Sequence, residues 1–247
     1  MEWTEPEFPR SRRRLVRRLL RLLSHLAFGV LTDLQIVGTE NLPKGGPLLV
    51  VGNHFSFIDP VAMVRATPWP LEFVGGFRMP NAPASVTWIP KIWGYYPVFR
   101  GTGSRWALRA SEAVLAQAGV VGIFPEGGNW ATVLRPPRPG AAFLAVRTGA
   151  RILPMGFDGL LDVFPRLRRL RRAKVTVRIG KPFGPFETTG RGHARRRQLE
   201  DIGHEIMRHI AELLPPQRCG HYSIDPAIRA AARGTEIYPW ASAPEAR

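Results

Sequence analysis

The chain has 247 residues, 45% of them hydrophobic, which suffices for one substantial core and most simply for one domain with appendages. Its single cysteine, Cys219, excludes an intramolecular disulfide and a thiolate metal site. Lys and Arg number 35 against 19 Asp and Glu, a formal charge of +16, and this excess predicts a polyanionic partner such as nucleic acid, an anionic membrane or phosphorylated substrates.

The first element in chain order is a basic amphipathic helix within residues 10–30. Apolar residues recur along it at helical spacing: Leu15, Leu19, Leu22, Leu26 and Val30. Basic side chains fall toward the opposite side: Arg14, Arg18, Arg21 and His25. This pattern is typical of a helix that lies in a membrane interface, where each basic side chain contributes ~1 kcal/mol near an anionic surface. The alternative is a helix that packs on the protein through its leucine face, with solvated arginines. No stretch approaches the roughly 18 uninterrupted apolar residues of a transmembrane helix.

A short apolar run from Leu48 to Val51, bounded by glycine and proline, predicts a central strand. Asn53, His54 and Asp59 follow it, so His54 lies just past the carboxyl end of the strand, where α/β sheets place their ligands. An imidazole beside a carboxylate can act as a general base. Asp59 before a proline is also typical of a helix N-cap, and a lone histidine is commonly structural. The pair alone therefore leaves both interpretations open.

Strands and helices alternate along the rest of the chain. We expect further strands at 71–74, 120–124, 152–157 and 174–179, and helices at 104–118, 140–148 and 195–214. This order predicts an α/β fold with a central mixed sheet flanked by helices. Between residues 69 and 99, aromatic residues are dense in sequence with little helical period. They fit an acyl-chain tunnel, an interfacial surface or ordinary core packing.

Five short blocks carry a resemblance to a known family. They are residues 38–43, Asn53-His54 with Asp59, residues 98–101 around Arg100, residues 123–127 around Glu126, and residues 152–156. In this order and at these separations they resemble the blocks of the glycerolipid acyltransferases, the family of 1-acylglycerol-3-phosphate acyltransferase, over about residues 33 to 182. The resemblance implies a glycerol-3-phosphate acyltransferase-like fold.

The resemblance also implies roles for individual residues. His54 would take the proton from an acceptor hydroxyl as it attacks an acyl thioester, and Asp59 would orient His54. Arg100, Glu126 and Gly127 would bind the acceptor. Apart from the resemblance, Asn53 and Gly128 are expected to support the oxyanion or the loop, because glycine allows the backbone amides around Gly127 and Gly128 to approach closely. The donor would be acyl-CoA or acyl carrier protein, with no cofactor and no metal, and the enzyme would lie on the cytoplasmic face of the cell membrane.

The fourth block departs from the family pattern. The family usually continues Glu-Gly-Thr-Arg, whereas this chain has Glu126-Gly127-Gly128-Asn129. The arginine generally linked to phosphate recognition is therefore missing, and its possible substitutes are Arg105, Arg135 and Arg138. The acceptor is expected to be a lysophospholipid, first of all 1-acylglycerol-3-phosphate. The alternatives are a lyso-ornithine lipid, another lysophospholipid or a glycolipid.

The expected organisation has three parts: a membrane-associating segment (1–32), an acyltransferase domain (33–214) and a C-terminal tail (215–247). Two other classes of function compete with this hypothesis. A basic nucleic-acid-binding module would use the arginine clusters on phosphates, but it leaves the His54 and Asp59 pair unexplained, so no nucleic acid is expected as a partner. A catalytically idle lipid-binding scaffold would bind membranes without acyl transfer.

Overall fold

A computed structural model describes residues 13–76, 88–98 and 105–239. Within these ranges seven strands form one sheet in the order β1-β7-β6-β2-β5-β3-β4. The strands are β1 (Thr32–Val37), β2 (Leu48–Gly52), β3 (Leu71–Gly76), β4 (Tyr95–Val98), β5 (Val120–Ile123), β6 (Arg151–Asp158) and β7 (Ala173–Ile179). β6 and β7 pair antiparallel, and the other neighbours pair parallel. The predicted mixed sheet is confirmed, with β2 at its centre.

Helices cover both faces of this sheet. They are α1 (Arg14–Leu31), α2 (Asp59–Ala66), α3 (Trp88–Trp93), α4 (Arg105–Ala116), α5 (Gly140–Thr148), α6 (Val163–Leu167), α7 (Gly192–Ala211) and α8 (Pro226–Ala232). Successive side chains of a strand point to opposite faces. Leu49 and Val51 of β2 accordingly join the core under α4, α5 and α7, whereas Leu48 and Val50 join the core under α1 and α2. Because β2 is buried on both faces, it is apolar throughout.

Helix α1 packs on the body through its polar side together with Phe28 and Leu20, which contact the core. Arg17 is 5% exposed, and its guanidinium forms an ion pair with Glu72 of β3, with Nη2 to Oε2 at 2.8 Å. Its Nε also donates to the carbonyl oxygen of Trp93 at 3.0 Å. The apolar stripe faces outward, with Leu15 78% exposed and Leu19 57% exposed. The alternative in which α1 packs on the protein through its leucine face is therefore wrong. That alternative also left every arginine of α1 in solvent, whereas Arg17 is buried.

The segment that follows α7 folds back over the body. Trp130, in the loop after β5, donates its indole N–H to the carbonyl oxygen of Thr235 at 2.8 Å. The ring of Tyr238 contacts Trp130 edge-on, with centroids 5.2 Å apart. The described part of the predicted tail therefore wraps the body and reaches the loop that carries Glu126. Across the three described ranges, no helix combines the length and the hydropathy needed to cross a membrane.

Candidate active site

The loop after β2 is held by Asn53. The Asn53 side chain donates to the carbonyl oxygen of Phe157 at 3.0 Å and accepts the Phe157 N–H at 2.7 Å, so it continues the pairing of β2 with β6 by side-chain bonds. Phe157 also approaches Gly52 so closely that a Cβ there would lie 2.5 Å from its ring, which explains the glycine. These bonds tie the start of the loop to β6, and the expected role of Asn53 in loop or oxyanion support stays a prediction.

His54 and Asp59 face each other across this loop. His54 Nδ1 lies 3.0 Å from Asp59 Oδ2, and the same oxygen accepts the backbone N–H groups of Phe55 and Ser56 at 2.7 Å each. The imidazole stacks on Phe124 with ring centroids 4.3 Å apart, and the His54 side chain keeps 17% of its surface exposed. The expected orientation of His54 by a buried carboxylate is therefore present in the geometry.

Asp59 does not cap its own helix, which corrects one of the two interpretations above. α2 begins at Asp59 itself, and Ile58 is the residue before it. The carboxylate instead accepts N–H groups from the loop that precedes the helix, because the turn from His54 brings Phe55 and Ser56 toward it. Burial raises the pKa of Asp59, and the hydrogen bond and charge of His54 oppose that rise.

Glu126 joins the loop after β5 to the loop after β2. Its Oε1 accepts the backbone N–H of His54 at 2.7 Å, and its Oε2 accepts the Nε–H of Arg135 at 3.1 Å. Arg135 is 1% exposed, donates also to the carbonyl oxygen of Gly128, and stacks over Trp130 with its guanidinium carbon 3.7 Å from a ring centroid. Burial raises the pKa of Glu126 to about 7, against the opposing effect of the Arg135 charge.

Arg135 is the residue whose position sequence reasoning missed. The sequence suggested Arg135 only as a substitute for the missing acceptor-binding arginine. In the structure its guanidinium instead donates hydrogen bonds to Glu126 and to the carbonyl oxygen of Gly128. No local sequence pattern indicates this role, because the burial of Arg135 follows from its contacts with Glu126 and Gly128, nine and seven positions away. Among the three proposed substitutes, Arg138 and Arg105 are exposed.

Two other expected residues have specific outcomes. Gly127 adopts a φ of +75°, and its N–H donates to the carbonyl oxygen of Phe124 at 3.0 Å, so that amide is already used within the turn. A side chain at Gly127 would lie 3.0 Å from Cγ of Arg138. Arg100 lies outside the described residues, so its expected role stays a prediction, as do those of Gly127 and Gly128.

Two clefts border these residues. A small cavity of about 10 Å³ is lined by Asp59, Phe157, Asp158 and Arg218 among others, and within the described chain Asp59 Oδ1 has no hydrogen-bond partner. A second cleft, of about 180 Å³, lies beside the Glu126 loop. In the described part of the chain, no group of three or more His, Cys, Asp and Glu side chains is arranged to hold a metal ion.

Comparison with known proteins shows the family and the fold of this chain. The chain matches the Acyltransferase family over residues 33–158, which is half of its length and includes β1 to β6. The fold also resembles the crystal structure of the 1-acyl-sn-glycerophosphate acyltransferase PlsC from Thermotoga maritima, with a TM-score of 0.56, 22% identity and coverage of 81% of this chain and 83% of that one. The chain belongs to the Acyltransferase family.

Curated relatives carry a consistent name at low identity. A 1-acyl-sn-glycerol-3-phosphate acyltransferase of Borreliella burgdorferi is 28% identical over 49% of each chain. The human 1-acyl-sn-glycerol-3-phosphate acyltransferase alpha is 26% identical over 67% of this chain and 60% of its own length. The chain thus spans between half and three fifths of these relatives, and their activity is evidence for a proposal about this protein.

Proposed function

We propose that this protein is a membrane-surface O-acyltransferase that moves a fatty acyl group from acyl-CoA or acyl carrier protein to the free hydroxyl of a lysophospholipid. The observation that carries the proposal is the 3.0 Å contact between His54 Nδ1 and Asp59 Oδ2 at the carboxyl end of β2. With Nδ1–H donated to the carboxylate, Nε2 is the nitrogen that accepts a proton. The imidazole keeps an exposed surface on which a hydroxyl can be received.

In the proposed reaction, Nε2 of His54 removes the hydroxyl proton as the acceptor oxygen attacks the thioester carbonyl. The carbon–sulfur bond then breaks, and the thiolate leaves and takes up the proton from the imidazolium. Asp59 stabilises the imidazolium while it exists. A base placed in this way contributes on the order of 10²–10⁴ in rate. No acyl-enzyme forms in this scheme, because the alcohol attacks the donor directly.

Glu126 supports this reaction through the backbone. Its two oxygens accept from His54 N–H and from Arg135, so its observed contacts are with the protein. We infer that it fixes the loop from which the His54 imidazole projects. Its expected contact with the acceptor remains a prediction, and the support for it is that Glu126 lines the 180 Å³ cleft.

The exposed leucine face of α1 supports a membrane location. A row of large apolar side chains on a helix that is otherwise basic suits the interface of an anionic bilayer. The partner proposed for α1 is therefore an anionic membrane surface, and the cytoplasmic leaflet is proposed because thioester donors are found there. This is a peripheral or monotopic attachment.

The first acceptor to test is 1-acylglycerol-3-phosphate, because the relatives carry that name. A second candidate is favoured by the loop itself, in which Asn129 replaces the arginine that the family links to phosphate recognition. On this second proposal the acceptor is a lysolipid other than 1-acylglycerol-3-phosphate.

Thioester turnover tests the proposal. Purified protein is mixed with oleoyl-CoA or acyl carrier protein thioester and a panel of lysolipids in anionic vesicles, and the products are identified by mass spectrometry. We expect diacyl product from at least one acceptor with wild type and none above background with His54→Ala. Thioester consumption by a folded His54→Ala protein at the wild-type rate would refute the mechanism.

A further inference from the structure

Beside the Glu126 loop the surface forms a cleft of about 180 Å³, which is smaller than the roughly 300–1,000 Å³ of sites that enclose a whole drug-sized ligand and so suits a headgroup alone. Its lining residues come from two distant parts of the chain: Glu126, Trp130, Arg135, Pro136, Pro137, Arg138 and Glu236. The cleft lies one side chain away from the catalytic loop, because Glu126 contacts both the cleft and the N–H of His54. The C-terminal segment therefore forms one wall of it.

The charged groups of this cleft divide into two sets. Glu126 and Arg135 neutralise each other in the buried wall, with Nε to Oε2 at 3.1 Å. Arg138 and Glu236 are the two remaining charged residues, and both reach solvent. A ligand in the cleft therefore meets one cation, Arg138, and one anion, Glu236, whose carboxylate also contacts His221.

Arg138 is placed over the Glu126 loop. Its Nε lies 3.9 Å and its Cγ 3.0 Å from the position that a Gly127 Cβ would occupy, so the arginine packs across the glycine. Its backbone N–H donates to the carbonyl oxygen of Pro125 at 2.7 Å, which ties it to the same turn. No ion pair of Arg138 occurs within the described ranges. Arg138 thus supplies a cation near the turn from which the family arginine is missing.

Glu236 supplies the opposite charge. Its Oε2 lies 3.2 Å from His221 Nε2, and its side chain is 45% exposed. Trp130 holds this segment in place through its bond to Thr235, which precedes Glu236. A hydrogen bond from its own backbone N–H lowers the pKa of Glu236, so the carboxyl is ionised at neutral pH.

We propose that this cleft receives the headgroup of a zwitterionic lysophospholipid, with the phosphate on Arg138 and the ammonium on Glu236. This inference rests on the proposed acyl transfer and names its acceptor class. A phosphate monoester such as 1-acylglycerol-3-phosphate carries up to two negative charges and no cation, so Glu236 repels it. A phosphodiester with an ammonium group matches one cation and one anion.

The test separates binding from turnover. The affinities of His54→Ala protein for lysophosphatidylethanolamine, lysophosphatidic acid and lysophosphatidylglycerol with the same acyl chain are measured by titration calorimetry. The same titrations are repeated after Glu236→Gln or Arg138→Gln. Glu212→Gln is the matched control, because Glu212 is also an exposed glutamate beside a histidine, with His209 Nδ1 at 3.4 Å.

We expect the ethanolamine lipid to bind most tightly. Glu236→Gln should reduce its preference over the phosphatidic lipid by about fivefold, as for a partly exposed ion pair, and Arg138→Gln should weaken all three lipids. Glu212→Gln should change nothing. An unchanged preference in Glu236→Gln, or tighter binding of lysophosphatidic acid by the parent, overturns the inference. Failure of the enzyme proposal is a different result, in which protein with His54 intact binds lysolipids but transfers no acyl group.

Discussion

Glu126 accepts the backbone N–H of His54 at 2.7 Å, so a side chain from the loop after β5 fixes the main chain of the loop after β2. β2 and β5 are adjacent and parallel, and their carboxyl ends therefore meet at one edge of the sheet. Glu126 thus contacts the backbone of His54, whereas Asp59 contacts its imidazole directly. The candidate site contains both contacts.

Loss of the His54 imidazole should abolish catalysis without loss of the fold. In His54→Ala we expect the rate of acyl transfer to fall by about 10²–10⁴, since the proton acceptor is removed. The melting temperature should stay close to that of wild type, because the side chain is partly exposed. Thioester turnover and circular dichroism measure the two effects. His209→Ala, which alters a histidine on α7, should retain full activity.

Arg135 should matter more for stability than an exposed arginine. Arg135→Met leaves the carboxylate of Glu126 buried without its cation, and this should lower the free energy of unfolding by about 3–5 kcal/mol. The matched control is Arg147→Met, which removes a surface pair with Glu112 at 3.6 Å and should cost less than about 1 kcal/mol. Urea denaturation gives both values.

A double variant tests the reason for that loss. Glu126→Gln combined with Arg135→Met removes the buried charge as well as its partner, so stability should recover in part. Acyl transfer should not recover, because the amide holds the His54 loop less firmly than a carboxylate does. If Arg135→Met were as stable as Arg147→Met, the buried pair would have no structural role.

The leucine face of α1 should control vesicle binding. Replacing Leu22 and Leu26 by Gln removes two apolar anchors worth roughly 1.5 kcal/mol or more each, so partitioning into anionic vesicles should fall on the order of 100-fold. Sedimentation with vesicles measures this. The control is Leu170→Gln, since Leu170 is 93% exposed but lies outside α1. Equal binding by both proteins would contradict the proposed attachment, and circular dichroism should show both folded.

Glu126 should also give stability a pH dependence. Its pKa is raised to about 7 in the fold from 4.5, so the folded chain binds more protons than the unfolded chain between these values. The resulting stabilisation is complete below the lower value and is lost as pH rises through the upper one. The free energy of unfolding of wild type relative to Glu126→Gln should therefore decrease from about pH 5 to about pH 8. A pH-independent difference in urea titrations would be inconsistent with a raised pKa, and Glu212→Gln should follow wild type.

The sequence predicted the parts of the fold whose pattern is local. β2 is an apolar run between glycines, and α5 is a short apolar segment followed by a glycine. Both were therefore predicted with nearly correct bounds. α3 and β4 were not predicted, because Trp93 and Tyr96 are buried by contacts with distant elements rather than by a local period. Trp93, for example, donates its indole N–H to the carbonyl oxygen of Leu71 at 3.0 Å.

The candidate site divides in the same way. His54 and Asp59 are five residues apart, so one turn brings them together, and the sequence was sufficient to pair them. The contacts of Glu126 with His54 N–H and of Asn53 with Phe157 join residues 72 and 104 positions apart. Only the order of strands in the sheet sets those distances, and strand order is not readable from a pattern of apolar residues.

Arg21 connects the outer helix to the far end of α2. Its guanidinium donates to the carbonyl oxygens of Val64 and Pro68 at 3.2 and 2.8 Å, near the end of a helix whose first residue is Asp59. Eight residues of helix span about 12 Å. Should α1 rest on a bilayer as proposed, the imidazole would stand roughly one short helix from the lipid headgroups. A lysolipid would then reach His54 by moving only a short distance out of the bilayer, while its acyl tail stayed among the surrounding lipids.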